Sequence, residues 1–368
     1  MQIRRAGDRP RSRLERFTST QWRVYRKALK EKGDIYHFHD PDLIFVGLIL
    51  KLHGKRVIYD VHENYRNVVL SREWLPRSFR RFVSYAVAAI EWVAGKVFDG
   101  IVSAVPAIAR LFPETKNTTV CNFPDARWAG TRESTVGQRE TRRGSVVYVG
   151  GISRLRGIET MIEAIEQVPE ALHPELVVAG EFSKDLKEAL SVKPGWNRTT
   201  ILDWQTRAQV ASLLRESQVG ICVLHPTPNH IESFPIKLFE YMAFGLPVVV
   251  SNFPLWHDIV IDSNCGLLVN PMDPKAIADA IAWLLAHPCE AAEMGHNGQR
   301  AVMKRYNWES EAARLVAAYA NVLPARRLLN LHRPASTQSE SALPKRPESK
   351  MDAGTFRDSG SKTGIEAE

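Results

Sequence analysis

Glu232, Lys237 and Glu240 stand at a spacing that chemistry can use, inside the stretch HPTPNHIESFPIKLFEYMAFGLPVVVS that runs from His225 to Ser251. A polar loop punctuated by Pro226 and Pro228 precedes a helix expected to open near Phe234 and Pro235, since proline is tolerated where a first-turn amide has no partner. Leu238, Phe239 and Met242 give that helix a buried side and Gly245 ends it. Pro247 and the three valines after it read as a strand buried on both faces, as parallel strands are. A helix N-terminus with free amides and partial positive charge can hold a diphosphate, and Lys237 adds a full charge there. Glu240, one turn further in, can accept two hydrogen bonds from a ribose diol, while Glu232 in the loop can reach the group attached to the diphosphate. The plainer alternative is a surface helix with ordinary charged residues.

A second stretch offers the same chemistry. Val149-Gly-Gly-Ile-Ser-Arg-Leu-Arg-Gly157 follows a strand and precedes a helix. Gly150 and Gly151 let the backbone approach a phosphate, and Arg156, with Arg154 beside it, can bond its oxygens. Two histidine motifs add candidates. His37-Phe-His39 on a strand puts both rings on one face, yet no third and fourth metal ligands are evident from spacing, so no metal site is expected. Tyr59-Asp-Val-His62-Glu63 is not a His-Glu-x-x-His motif, because Arg66 stands where the second histidine belongs. His62 does lie at a strand's carboxyl end, where ligands of open α/β sheets bind.

The pattern Glu232-x7-Glu240, then Ala243-Phe244 and Gly245-x-Pro-Val-Val, resembles glycosyltransferase family 4, the retaining nucleotide-sugar transferases of GT-B fold. The resemblance covers about residues 34–322. It implies that Glu240 holds the donor ribose and that Glu232 lies near the donor sugar. Ser233, Phe234 and Lys237 would complete the donor-binding run. The 150–157 loop resembles the family's glycine loop, with Arg156 in the place of its lysine; Gly151 stands where a second basic residue is common, and Arg154 substitutes for it. His62 resembles the histidine that hydrogen-bonds the donor sugar, and His39 one of a pair lining the cleft. Asn122 matches the asparagine closing the first domain, a structural role at the hinge, and Trp204 and Gln205 fall at the base-binding edge. The catalytic set so implied is His62, Glu232, Arg156 and Lys237. No cofactor is expected, the nucleotide-sugar being a substrate. No general base is needed, because the leaving phosphate takes the acceptor's proton in such enzymes.

The elements that must position these groups alternate along the chain. Strands are expected at 34–38, 55–60, 99–103 and 118–121, with helices at 16–32, 41–53 and 76–98 between them. The last helix carries Arg77, Arg80 and Arg81 beside Phe79 and Phe82, and is expected to bury its apolar side against the sheet; a membrane surface is the alternative. A cleaner alternation follows, with strands near 145–149, 175–179, 199–202, 219–224, 247–251 and 266–269. Intervening helices are expected at 157–167, 184–191, 206–216, 234–244 and 255–261, and terminal ones at 274–287, 289–305 and 308–322. The fold class is therefore α/β and GT-B-like, two Rossmann-like doubly wound domains facing a cleft. Residues 1–135 form the first domain, expected to be incomplete because no apolar strand and glycine-rich turn open it. Residues 136–322 form the nucleotide-sugar-binding domain, and 323–368, rich in Ser, Pro, Lys and Glu, a disordered tail.

Composition sets the outer bounds. The 368 residues suffice for two domains, and 44% apolar with 24% charged residues is globular usage. Cys121, Cys222, Cys265 and Cys289 lack disulfide or metal spacing, no apolar run reaches membrane-span length, and no signal-peptide core follows the arginine-rich start. The cytoplasm is the expected compartment. Residues 1–32 hold eleven Lys or Arg against three acidic residues, which equals the whole net charge of +8. That segment reads as a solvated basic face, with peripheral contact to an anionic membrane as the alternative; no nucleic acid is expected as a partner. The expected function is sugar transfer from a nucleoside-diphosphate sugar to a hydroxyl on a polysaccharide, lipopolysaccharide or lipid-linked glycan, with retention. The competing expectation is a non-catalytic truncated relative that binds nucleotide without transferring sugar.

Overall fold

The short apolar runs of the chain become two separate parallel sheets, each covered by the helices that connect its strands. The computed structural model describes residues 12–70, 75–129 and 144–323. The start of the basic segment, most of the interdomain stretch and the expected tail beyond 323 lie outside the described residues. Those that are described belong to one compact unit, within Met1–Pro324.

The first sheet holds β1 (Ile35–Phe38), β2 (Arg56–Val61), β3 (Gly100–Ser103) and β4 (Asn117–Thr119), in the order 1-2-3-4 and parallel throughout. Its core gathers Ile44 and Leu50 of helix Ile44–Leu52 with Val57, Tyr59, Phe98 and Ile101. The basic helix expected over 16–32 is broken at Thr18 into Arg13–Phe17 and Ser19–Glu31, where Thr18 leaves helical geometry (φ −122°, ψ −88°) and its hydroxyl donates to the Leu14 carbonyl.

Helix Arg77–Val97 forms where expected, but its packing differs from the expectation. The buried positions are Ser84, Glu91, Ala94 and Gly95, while Phe79 and Phe82 are exposed. The cause is local: the packed face abuts the Tyr59 hydroxyl, which donates to Glu91 Oε1 at 3.0 Å, and the Arg66 carbonyl, which accepts from Ser84. The packed face thus combines small and polar residues with Ile90, which joins the first domain's core.

The second sheet holds β5 (Ser145–Val149), β6 (Glu175–Ala179), β7 (Thr199–Leu202), β8 (Val219–Cys222), β9 (Val248–Ser251) and β10 (Gly266–Val269), in the order 10-9-8-5-6-7. Val146 and Val147 are fully buried on opposite faces of β5, in separate clusters, as the valine runs require. Progression along the sheet reverses between β5 and β8. Such a switch point leaves a crevice at the strands' carboxyl ends, where ligands of open α/β sheets bind. Both candidate loops, 150–157 after β5 and 223–235 after β8, leave from it.

The final helix, Trp308–Val322, packs on the first sheet. Val322, Leu315 and Tyr319 pack with Ile58, Val102 and Val120. Glu311, 1% exposed, accepts the Cys121 amide at 2.8 Å and pairs with Arg314, and the Trp308 amide donates to the Pro124 carbonyl. The chain thus crosses from the first sheet to the second and returns.

Candidate active site

The glycine loop is shaped by its backbone. Gly150 (φ 126°) donates its amide to the Ala179 carbonyl, and a methyl group there would lie 3.2 Å from Lys237 Nζ. Gly157 (φ 77°) begins helix Ile158–Gln167, and a Cβ on it would stand 2.0 Å from the Val223 carbonyl oxygen. Only glycine fits both the left-handed backbone and that approach. The loop therefore lies directly against the strand that carries the second loop. The His225 amide closes the pair by donating to the Leu155 carbonyl at 3.0 Å.

Helix Ile236–Ala243 is seated by Gly220 on β8, where a Cβ would come within 2.5 Å of the Tyr241 ring. Tyr241 is fully buried and its hydroxyl accepts the Val149 amide at 3.0 Å, tying the helix to the end of β5. Lys237 consequently reaches across the crevice. Its ammonium donates to the Tyr148 hydroxyl at 3.1 Å, and that hydroxyl donates to the Gly151 carbonyl at 2.8 Å. Arg156 lies over Gly151, with its guanidinium carbon 3.3 Å from where a Cβ would be. The structure thus brings Gly150, Gly151, Arg156 and Lys237 together at the mouth of one helix.

Arg154 is directed elsewhere. Its guanidinium pairs with Glu159, which also takes Lys193 at 3.1 Å. The site's positive charge therefore rests on Arg156 and Lys237. Their cationic charges, after burial of the ring, also help hold His230 below the ordinary histidine value, so His230 is neutral near pH 7. Its Nδ1 lies 2.9 Å from the His225 carbonyl, a contact that fixes the loop.

Glu240 sits one turn beyond Lys237 and is half-buried, with no side-chain hydrogen bond among the described residues. Burial raises its pKa above the ordinary carboxylate value, and Lys237 and Arg207 pull it partly back. Glu232 is exposed in the loop and accepts from Asn64 at 3.3 Å and Asn67 at 3.4 Å, both beyond β2 of the first domain. Phe234 is enclosed by Phe123 and Phe239 and touches the first domain's core as well, so its ring fills the domain junction. The Ser233 carbonyl accepts the Trp256 indole at 2.7 Å. The polar loop expected before the helix contains a short helix of its own, Pro228–Ile231, because Thr227 caps it by accepting the His230 amide.

Across the crevice, His37, His39 and His62 stand in a row of stacked rings beside Asp60. With Asn122, Tyr319 and Trp308 they line a cavity of about 330 Å³. Trp204 is exposed at the edge of the second sheet. Sequence reasoning missed Tyr148, Asn64 and Asn67. Tyr148 lies in an apolar strand and reads as core, and asparagines at the start of a short helix carry no signal of a partner some 165 residues away.

With the geometry in place, comparison with known proteins is direct. Residues 132–301 match the family model described as Glycosyl transferases group 1. The chain is 28% identical over 196 residues to a D-inositol 3-phosphate glycosyltransferase of Xylanimonas cellulosilytica, covering 49% of this chain but only 43% of that relative. It is 24% identical over 336 residues to a GDP-mannose:cellobiosyl-diphosphopolyprenol alpha-mannosyltransferase of Xanthomonas oryzae, covering 87% of this chain and 81% of the relative. Among solved structures it resembles a sucrose-phosphate synthase from Thermosynechococcus elongatus (TM-score 0.65, 22% identity, 87% of this chain and 80% of the other). It also resembles Anabaena HepE in complex with UDP (TM-score 0.66, 16% identity, 84% of each chain). At these identities the structural likenesses speak for the fold. No helix among the described residues is long and apolar enough to cross a membrane. The chain accordingly has the GT-B fold, two Rossmann-like domains, and its residues 132–301 are similar to the glycosyltransferase group 1 family.

Proposed function

We propose that this chain transfers a sugar from a nucleoside-diphosphate sugar to a hydroxyl acceptor, a polysaccharide, lipopolysaccharide or lipid-linked glycan, with retention at the anomeric carbon. The observation that carries the proposal is the convergence of Arg156, Lys237 and the Gly150–Gly151 turn at the first turn of a helix bearing Glu240. That arrangement suits a diphosphate held by two cations and backbone amides, with the ribose diol on the carboxylate. Two relatives whose names state glycosyl transfer, and a neighbour solved with UDP, support the same reading.

In the reaction so proposed, the bond between the anomeric carbon and the diphosphate oxygen breaks as the acceptor oxygen bonds to carbon. The departing diphosphate takes the acceptor's proton. Arg156 and Lys237 neutralise the charge that develops on it, which is where stabilisation counts most. Tyr148 orients Lys237 through its hydroxyl. Glu232, steadied by Asn64 and Asn67, and His62 orient the sugar. Ser233 and Phe234 shape the loop between them. No resident cofactor takes part in these steps. The exposed Phe79 and Phe82 beside Arg77, Arg80 and Arg81 suit peripheral contact with an anionic membrane on the cytoplasmic side, where a lipid-linked acceptor would be presented.

The test is calorimetric titration with UDP, GDP and ADP, on the chain as given and on Glu240→Ala. One nucleotide is expected to bind and to weaken at least about tenfold in the variant, the loss of charge-assisted hydrogen bonds. No binding of any of the three to the folded chain would overturn the proposal.

A further inference from the structure

We infer that His37, His39 and Asp60 form a binding site for one divalent first-row transition-metal ion of the zinc class. The inference is independent of the sugar-transfer reading. It starts from strand geometry. His37 and His39 lie two apart on β1 and share a face, and Asp60 comes from neighbouring β2, where Phe38 is paired with Tyr59. The parallel register therefore delivers two imidazoles and one carboxylate to a single point at the sheet's carboxyl edge. Their nearest ligand atoms all lie within 4.8 Å of one another.

The two distances from the carboxylate fit a coordination shell, and the imidazole nitrogens would draw together around an ion. Asp60 Oδ2 is 3.2 Å from His37 Nε2 and 3.1 Å from His39 Nδ1. Ligands about 2.0–2.1 Å from a tetrahedral ion are separated by about 3.3 Å. A donor set of two imidazoles and a carboxylate suits zinc, cobalt, nickel or copper, whereas magnesium and calcium prefer oxygen.

A second observation points the same way. His37 is largely buried, and its other nitrogen, Nδ1, stands 2.6 Å from the Tyr319 hydroxyl. A histidine that ligates a metal nearly always gives its remaining N–H to an oxygen, which fixes the tautomer and aims the free lone pair at the ion. With Tyr319 as that oxygen, His37 Nε2 presents a lone pair to the Asp60 carboxylate. That nitrogen and carboxylate are bridged either by a proton or by a metal ion, which the dialysis below distinguishes. Tyr319 belongs to the final helix, so an ion here would also fasten that helix to the first sheet. His62, whose Nε2 is 2.9 Å from His39 Nδ1, stands beside a fourth position that opens into the cavity lined by these residues. Three protein ligands and one open position is the arrangement of zinc sites that take a water or a ligand oxygen.

The test is equilibrium dialysis of the whole chain against Zn²⁺, with metal analysis and a competing chelator to rank affinities. About one equivalent is expected on the chain as given. His39→Ala and Asp60→Asn should lose it, while Tyr319→Phe should keep it with about tenfold weaker affinity. Thermal unfolding in chelator checks each variant's fold; His39 is the safeguard, since its exposed ring carries little packing. Mg²⁺ should not be retained. Failure to hold Zn²⁺, or equal stoichiometry and affinity in His39→Ala, would overturn the site. Unchanged affinity in Tyr319→Phe would remove Tyr319 as the outer partner of His37.

Discussion

Glu232 of the second domain accepts a hydrogen bond from Asn64 of the first at 3.3 Å, and a second from Asn67 at 3.4 Å. The carboxylate proposed to face the donor sugar is therefore oriented by the opposite domain. Glu232 is exposed and the two asparagines are half-buried, so the contact contributes little to stability. Replacing both asparagines by alanine should leave nucleotide affinity unchanged and cost about 1 kcal/mol of stability, since Asn64 also accepts the Asn67 amide at the start of helix Tyr65–Leu70. Turnover of the intact nucleotide-sugar should fall about tenfold or more, by analogy with partners that position reacting groups. Calorimetry with the free nucleotide beside steady-state kinetics with the sugar donor separates the two; loss of nucleotide affinity would contradict this role.

Arg154 and Arg156 are two residues apart and should behave differently. Arg156→Ala and Lys237→Ala each remove a charge from the proposed leaving group and should cost about 2–4 kcal/mol in the barrier. Arg154 is held by Glu159, so Arg154→Ala should change turnover little. Initial rates on the three variants decide it, and equal losses would return Arg154 to the phosphate site.

Burial raises the Glu240 pKa, so protonation begins at a higher pH than for an ordinary carboxylate. A protonated carboxyl accepts ribose hydrogen bonds less well. Nucleotide affinity should therefore be complete above that raised pKa and fall as pH drops through it. In Glu240→Gln the dependence should flatten. Titrations at pH 8 and pH 5 provide the measurement.

Glu91 is buried against the Tyr59 hydroxyl, and burial pushes its carboxyl up to about 7. The folded state thus holds a proton that the unfolded chain releases near 4.5. Its contribution to stability is complete below that lower value and is lost as pH rises through about 7. Glu91→Gln should stabilise the protein by about 1–3 kcal/mol at pH 8 and hardly at all at pH 4.5. Urea unfolding at the two pH values tests it; a gain of equal size at both would point to packing instead.

Gly157→Ala places a methyl group 2.0 Å from the Val223 carbonyl oxygen, on a left-handed backbone. The backbone alone should cost about 1–2 kcal/mol. The forced separation of the two loops should abolish nucleotide binding before the domain unfolds. Circular dichroism and calorimetry on one preparation distinguish these effects.

Much of this protein is legible in its sequence because the governing signals are local. The Val146–Val149 and Val248–Val250 runs can only be buried parallel strands, and the glycines and prolines around them mark the turns. Spacing alone put Glu240 one turn beyond Lys237, since helical periodicity is a property of consecutive residues. It also nominated Arg156, although the difference between Arg156 and Arg154 was invisible: Glu159 is nearer Arg156 in sequence, yet it pairs with Arg154. Tertiary structure decided what depends on distant segments meeting. Asp60 reaches His37 and His39 only through the register of two strands, Tyr319 reaches His37 from 282 residues away, and Asn64 reaches Glu232 across the domain junction. Helix Trp308–Val322 likewise lies on the first sheet although its sequence follows the second. Periodicity states which face of an element is apolar. Which surface that face meets is set by packing and chain closure over the whole fold, and no local pattern records it.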